Sequence, residues 1–296
     1  MNDGNSLDAL FQGAVAAIDA GDVAQVERLT SAHPRLLRER LKSPGSWLRD
    51  KVDRALDGFF KKPYLLWFVA EDPVRNDTLP TNIAQVAASI IDAAKREKVD
   101  SLQEQLDYAL RLVAWSWVAH RCGVQLELID TLVDGGASPD GVPDNALVNG
   151  HIAAAEQLVR RGAKLTLATA ACLGRWEDVP PLAEHTSQRD KQFALTLAAL
   201  NGNAAALVRL IPLGVDVSAP SKDLYAHATP LHHAVASGSM DAVRVLVEAG
   251  ANPGAKDKVH RGSPLGWAEH YVSEQRSYDP PRYYAEIAAY LRERSR

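Results

Sequence analysis

The clearest pattern in the chain is a pair of short amphipathic helices near its C-terminal end. In Thr229-Pro230-Leu231-His232-His233-Ala234-Val235-Ala236-Ser237-Gly238, the apolar residues Leu231, Ala234 and Val235 fall three and four positions apart and share one helical face. Thr229 is placed to cap that helix. Pro230 occupies the first helical position, where its missing N–H donor costs nothing, and Gly238 is suited to a left-handed helix end. The next stretch, from Ser239 to Pro253, predicts a second helix with Val243, Leu246 and Val247 on its apolar side and Gly250 at its end.

Weaker copies of the same pattern run along the rest of the chain. Leu195, Ala198, Gly202, Leu210 and Gly214 make one, and Leu167, Ala170, Gly174 and Leu182 another. Ala146, Gly150, Leu158 and Gly162-Ala163 make a third, with Pro143 where the first helix has its leucine elsewhere. Upstream, Leu110, Val113, Ala114, Leu132 and Gly136-Ala137 fit a lengthened unit, and Leu66, Val69, Ala70, Ile90 and Ile91 fit another. Ala17, Gly21, Val26 and Leu29 outline an N-terminal unit. Ser263-Pro264-Leu265-Gly266-Trp267-Ala268 opens a terminal one that finishes with 286–294, and the charged 292–296 end is expected to act as a polar cap.

The 229–252 segment, with its Thr-Pro-Leu-His-His-Ala opening and Gly-Ala-Asn close, resembles the ankyrin repeat. The resemblance implies an all-α solenoid of about seven or eight divergent repeats. Each would be two antiparallel helices, with hairpin-like fingers between repeats and a concave binding face. It is strong over 192–271 and weaker before 140. The glycines that end the first helices are irregularly spaced around the family period of about 33 residues: Gly150 to Gly174 spans 24 residues, Gly174 to Gly202 28, and Gly202 to Gly238 36. The expected organisation is a divergent repeat plus an amphipathic strut over 1–62, two lengthened repeats over 63–140, and further repeats with a capping repeat over 141–296.

Three units depart from the pattern by stretching the turn between their two helices, at 71–80, 116–125 and 272–282. Such insertions are tolerated as surface loops, because lengthening a loop adds little closure entropy. They also offer a ligand-contacting rim. The segment 46–60 places Trp47, Val52, Leu56, Phe59 and Phe60 on one helical stripe, with Arg49, Asp50, Asp53 and Arg54 away from it, as in a strut docked on neighbouring repeats. Its mixed charges weaken a membrane-surface role. Trp47, Phe59, Phe60, Tyr64, Trp67, Phe68, Trp115 and Trp117 crowd this half, where large rings fill the gaps left by irregular stacking.

Composition narrows the function classes. The 296 residues are 46% hydrophobic and 24% charged, a balance that excludes a wholly disordered chain. Lys plus Arg number 33 against 37 Asp plus Glu, a formal net charge of −4, which argues against broad nucleic-acid or anionic-membrane binding. The two cysteines, Cys122 and Cys172, are far apart and outside any metal-ligand spacing, as expected in a reducing compartment. The acidic N-terminus lacks the basic region of a signal peptide, and no apolar run approaches the roughly 18 residues of a membrane span. A cytoplasmic location is expected.

The ankyrin register places the residues five and six after each helix opening on the concave face. These are Glu71 and Asp72, Trp115 and Ser116, Val148 and Asn149, Cys172 and Leu173, Leu200 and Asn201, Ala236 and Ser237, and His270 and Tyr271. Tyr225, His227, Lys256, Asp257, Lys258 and His260 fall on finger tips. His232 stands where the family uses an imidazole to bridge the backbones of adjacent repeats, and His227, His233 and His260 are placed to converge with Asp257. No His-Glu-x-x-His, Cys-x-x-Cys, nucleophile elbow, phosphate loop or dinucleotide fingerprint occurs, so no metal, cofactor or catalytic residue is expected. The best-supported function is recognition of another protein or peptide by the concave face and finger tips. The alternative is an enzyme or small-molecule binder with a pocket under the lengthened N-terminal turns near Trp67, Asp72, Arg75, Trp115, His120 and Arg121. A third class, a purely structural scaffold, predicts self-association through the aromatic N-terminal face.

Overall fold

The chain divides into two compact units, Met1–Lys164 and Leu165–Arg296, and a computed structural model describes residues 6–274 and 282–294. Every regular element among them is helical, as the sequence pattern predicts. The first residues of the acidic N-terminus, most of the 272–282 turn and the last two residues of the 292–296 cap lie outside the described residues.

The first unit contains α1 (Leu7–Asp19), α2 (Val23–Ala32), α3 (Arg35–Arg38), α4 (Ser46–Val52), α5 (Ile83–Arg96), α6 (Leu102–Trp115), α7 (Trp117–Arg121), α8 (Gln125–Gly135), α9 (Val142–Val148) and α10 (Ile152–Arg160). Two 3-10 segments, Asp53–Leu56 and Leu65–Ala70, interrupt this series. One row is built from α1, the Leu65–Ala70 segment, α6 and α9, each packed on the next. A second row, α2, α5, α8 and α10, packs beside it. Residues 65–70, Leu-Leu-Trp-Phe-Val-Ala, are apolar throughout and entirely buried, so this tight turn does the work of an inner helix. The row geometry buries Ile90 and Ile91 of α5, Leu110 and Val113 of α6, and Leu132 of α8, the residues whose spacing marks the weaker repeats.

The expected strut over 46–60 is not one helix. Asp53 has φ 36°, a positive value that L residues rarely adopt, and it breaks the stripe after α4 and hands over to the short Asp53–Leu56 turn. Leu48, Val52, Leu56 and Phe60 still face inward, but Phe59 is turned out, 41% exposed. Trp47 is held at the N-terminal side, its indole N–H donating to Asp8 Oδ1 at 2.8 Å.

The second unit repeats the two-row plan more regularly. Its helices are α11 (Leu167–Cys172), α12 (Val179–His185), α13 (Gln188–Leu200), α14 (Ala204–Leu210), α15 (Pro230–Ser237), α16 (Met240–Glu248), α17 (Pro264–Ser273) and α18 (Tyr284–Arg294). The inner row is α11, α13, α15 and α17, and each packs against its outer partner, α12, α14, α16 or α18. Four pairs in each unit agree with the expected seven or eight repeats. Short polar side chains start these helices: the hydroxyls of Thr166, Ser239 and Ser263 accept the backbone N–H of Thr169, Ala242 and Gly266, and Asn203 Oδ1 accepts that of Ala206. Gly202 turns between α13 and α14 at φ +61°, and a Cβ there would sit 2.7 Å from Ser239 Cβ of the following repeat. That contact requires glycine twice over, for conformation and for space.

Candidate functional site

The finger that precedes α17 is organised from inside by Asp257. Its side chain is fully buried, and its carboxylate accepts the backbone N–H groups of Val259 (2.9 Å), His260 (2.6 Å) and Gly262 (2.7 Å) and the Trp267 indole N–H (3.1 Å). Burial opposes its ionisation. The four donors outweigh burial and hold the carboxyl well below the usual carboxylate range. The finger is tied back to the previous one by the Lys258 N–H, which donates to the His227 carbonyl at 2.8 Å. His232 adds a second tie. Its Nδ1 accepts the Thr229 backbone N–H at 3.3 Å and lies 2.8 Å from the Thr229 hydroxyl, which leaves its proton on Nε2, 3.1 Å from the Gly262 carbonyl. The repeat-bridging role that the resemblance implies for His232 is therefore met.

These ties shape a half-open cleft of about 540 Å³ lined by His227, His260, Gly262, Gly266, Trp267, His270 and Tyr271. It brings together finger residues (His227, His260) and inner-helix turn residues (His270, Tyr271) that the sequence placed in separate groups. Trp267 precedes His270 and Tyr271 by three and four positions, so all three project from one face of α17. In the sequence Trp267 marks a repeat opening, and the same helical spacing is the signal for its place beside His270 and Tyr271. Tyr271 stacks on Tyr284 with ring centroids 4.7 Å apart, and His270 Nε2 lies 3.5 Å from Glu274. Behind His227, the His233 ring is buried, with its Nε2 unpartnered. Its pKa is lowered to about 4, first by burial and then by the neighbouring His227 and His232, so the ring is neutral near pH 7. No group of three or more His, Cys, Asp or Glu side chains among the described residues is placed to hold a metal ion.

The other predicted surface residues do not join this cleft. Lys256 and Lys258 are exposed on the finger, and Tyr225 is exposed beside His227 and His233. Leu173, Asn201 and Ser237 are half-buried at the C-terminal ends of α11, α13 and α15. The Asn201 amide donates to the Leu197 carbonyl and the Ser237 hydroxyl to that of Ala234. In the first unit, Trp115 is 38% exposed with its ring 6.1 Å from that of Phe59, and exposed Asn149 donates to the Trp115 carbonyl at 2.7 Å.

Three of the expected contact residues are corrected: Glu71, Ser116 and Asp257 are buried within the fold and turned toward their own backbone. Ser116 caps α7 through the Ala119 N–H. Glu71, at φ 48°, swings its carboxylate under the lengthened turn, where Oε1 accepts the backbone N–H groups of Arg75, Asn76 and Asp77. The buried Arg75 guanidinium lies 2.9 Å from Glu71 Oε2 and 2.9 Å from Asp19. Asp72 is half-buried next to it, and burial followed by repulsion from Glu71 raises its pKa to about 6.

Of the residues named for the alternative, enzyme-like pocket, Trp115 packs on Phe59 of the Trp67 cleft and Asp72 lies close enough to Tyr108 of that cleft to add to the burial that raises the tyrosine's pKa, whereas Arg75, His120 and Arg121 are not part of its lining. Trp67 lines a 390 Å³ cleft with Phe59, Tyr108 and Arg111, whereas Arg75 lines a separate 320 Å³ one with Asp19 and Trp47. Arg121 pairs with Asp77, and the His120 ring stacks on that of His151 with centroids 4.5 Å apart.

Comparison with known proteins places a family on this geometry. No curated protein matches the sequence. The family model described as ankyrin repeats (3 copies) matches residues 146–257, from the end of α9 through α16 to the start of the Asp257 finger. Over residues 146–257 the chain is built of ankyrin repeats, a module of protein–protein interaction that is typically non-enzymatic.

Proposed function

We propose that this protein is an adaptor or regulator that holds a protein or peptide partner against the fingers and inner-helix turns of the Leu165–Arg296 unit. The supporting observation is the cleft that joins His227 and His260 of the fingers to Trp267, His270 and Tyr271 of α17. Aromatic and imidazole side chains at an open cleft offer rigid contact area with polar edges, the chemistry that dominates protein recognition hot spots. Trp115 and Asn149 offer a second contact area in the first unit. Arg75, His120 and Arg121 lie outside the cleft that Trp67 lines, which counts against the enzymatic alternative. No described helix is long and apolar enough to cross a membrane, and both cysteines are free thiols; a cytoplasmic setting is consistent with both.

The test is site-specific photo-crosslinking in extract of the source cells, with a photoreactive residue at Tyr271 or, as control, at the exposed outer-row Val208. A partner band from position 271 that is missing from position 208 supports the proposal. Identical bands from both positions, or none from 271, contradict it.

A further inference from the structure

The finger sequence Lys256-Asp257-Lys258-Val259-His260-Arg261 is cationic on its outside and anionic only within. Lys256, Lys258, His260 and Arg261 are exposed. The one acid, Asp257, is sealed inside by four N–H donors and stays ionised, so no carboxylate of this finger reaches its surface. Among the described residues, Lys256, Lys258 and Arg261 enter no ion pair. Of the acids on neighbouring elements, Glu269 pairs with Arg292 at 2.8 Å, Asp223 with Arg189, and Glu274 lies beside His270. Three cations against one buried carboxylate leave the finger net positive on a chain whose formal charge is −4. His260 belongs both to this finger and to the lining of the cleft, so the positive rim and the aromatic cavity are continuous.

We propose that the partner segment is an acidic peptide with an aromatic anchor. The anchor side chain enters the cleft against Trp267, Tyr271 and His227, and the flanking carboxylates meet Lys256, Lys258 and Arg261. This inference rests on the protein-binding function proposed above and specifies its partner. A ring edge or face fits a cavity walled by an indole, a phenol and imidazoles. Free cations at its rim steer and select acidic chains more than they tighten binding. Single-stranded nucleic acid would also find cations and stacking surfaces here, but it needs a basic track along its backbone, and this chain supplies one finger within a net-acidic whole.

The test is selection of a phage-displayed random peptide library on the full chain, followed by anisotropy titration of the enriched peptides. The expected enrichment is Asp and Glu around a Trp, Tyr or Phe. The selected peptides are expected to lose at least about fivefold in affinity for the double variant Lys256→Glu, Lys258→Glu, and a similar factor in high salt. Both lysines are exposed, so the variant keeps its fold, with circular dichroism as the check. Enrichment of neutral or basic peptides, unchanged affinity of the double variant, or tighter binding of a uridine oligonucleotide would each overturn the inference. If no peptide is enriched while position 271 still crosslinks a protein, the acidic-peptide inference falls and the protein-binding function stands. If neither occurs, both fall.

Discussion

His232 Nε2 and the Gly262 carbonyl lie 3.1 Å apart, thirty positions apart in sequence, and this bond ties α15 to the finger that walls the cleft. Replacing His232 with Ala removes the bond, strips the Thr229 N–H of its acceptor and opens a small void. The expected loss is about 2–3 kcal/mol in unfolding free energy, read by urea denaturation. Gln, which reaches one partner but not both, is expected to recover part of it. Equal stability of the Ala variant and the parent would show that the bridge contributes little.

The inner core predicts a second result. Leu231 and Leu246 are fully buried on facing sides of the α15–α16 pair. Either Leu→Ala change is expected to cost on the order of 2–5 kcal/mol through the cavity it leaves. Trp115→Ala, at a 38% exposed site, should leave the melting temperature nearly unchanged. Thermal melts of the three variants give the comparison directly. A large drop for Trp115→Ala would place that ring in the core.

Buried His233 makes stability fall on acidification. Its folded pKa of about 4 lies below its usual 6.5, so the unfolded chain binds the extra proton between those values and unfolding is favoured there. Stability is full above pH 6.5, declines as the pH drops through this window, and has lost on the order of 3 kcal/mol from this group by pH 4. His232 and His151, both lowered first by burial, act in the same direction. His233→Gln should flatten this part of the stability profile measured by urea titration across pH; an unaltered profile would contradict the assignment.

Asp72 works in the opposite sense. Its folded pKa of about 6 stands above the usual 3.8, so the fold favours the protonated acid, and the stabilisation present at low pH is lost as the pH rises through 6. Asp72→Asn should stabilise the protein near neutral pH by on the order of 1 kcal/mol, partial solvent access reducing the effect. The gain should vanish near pH 4. Loss of stability at neutral pH in the Asn variant would show that the charged carboxylate has a partner.

Much of the second unit is legible in the sequence, because caps, periodicity and closing glycines agree there. Thr229, Pro230 and Gly238 start and stop α15 at the positions their chemistry favours. The first unit is less legible for a physical reason. A residue such as Asp53 or Glu71 can adopt a positive φ without announcing it, and each one redirects the chain that follows. A register that puts Glu71 on a surface requires a regular inner helix. The Leu65–Ala70 segment is a tighter turn, and its end aims the carboxylate inward. Asp257 belongs to a finger, but its four donors lie within ten residues along the chain and draw the side chain inside. The cleft itself was half visible, since His227, His260, His270 and Tyr271 were all singled out. Only the fold shows that two fingers and one helix face bring them together around Trp267.

Whether the partner sits on the fingers and α17 is decided by amide hydrogen exchange of the full chain, free and bound to the partner recovered by crosslinking. A partner seated in the cleft slows exchange in 225–228, 256–262 and 267–271 and leaves the outer row of α14 and α16 unchanged. Protection confined to that outer row, or no protection anywhere in the Leu165–Arg296 unit, would contradict that placement.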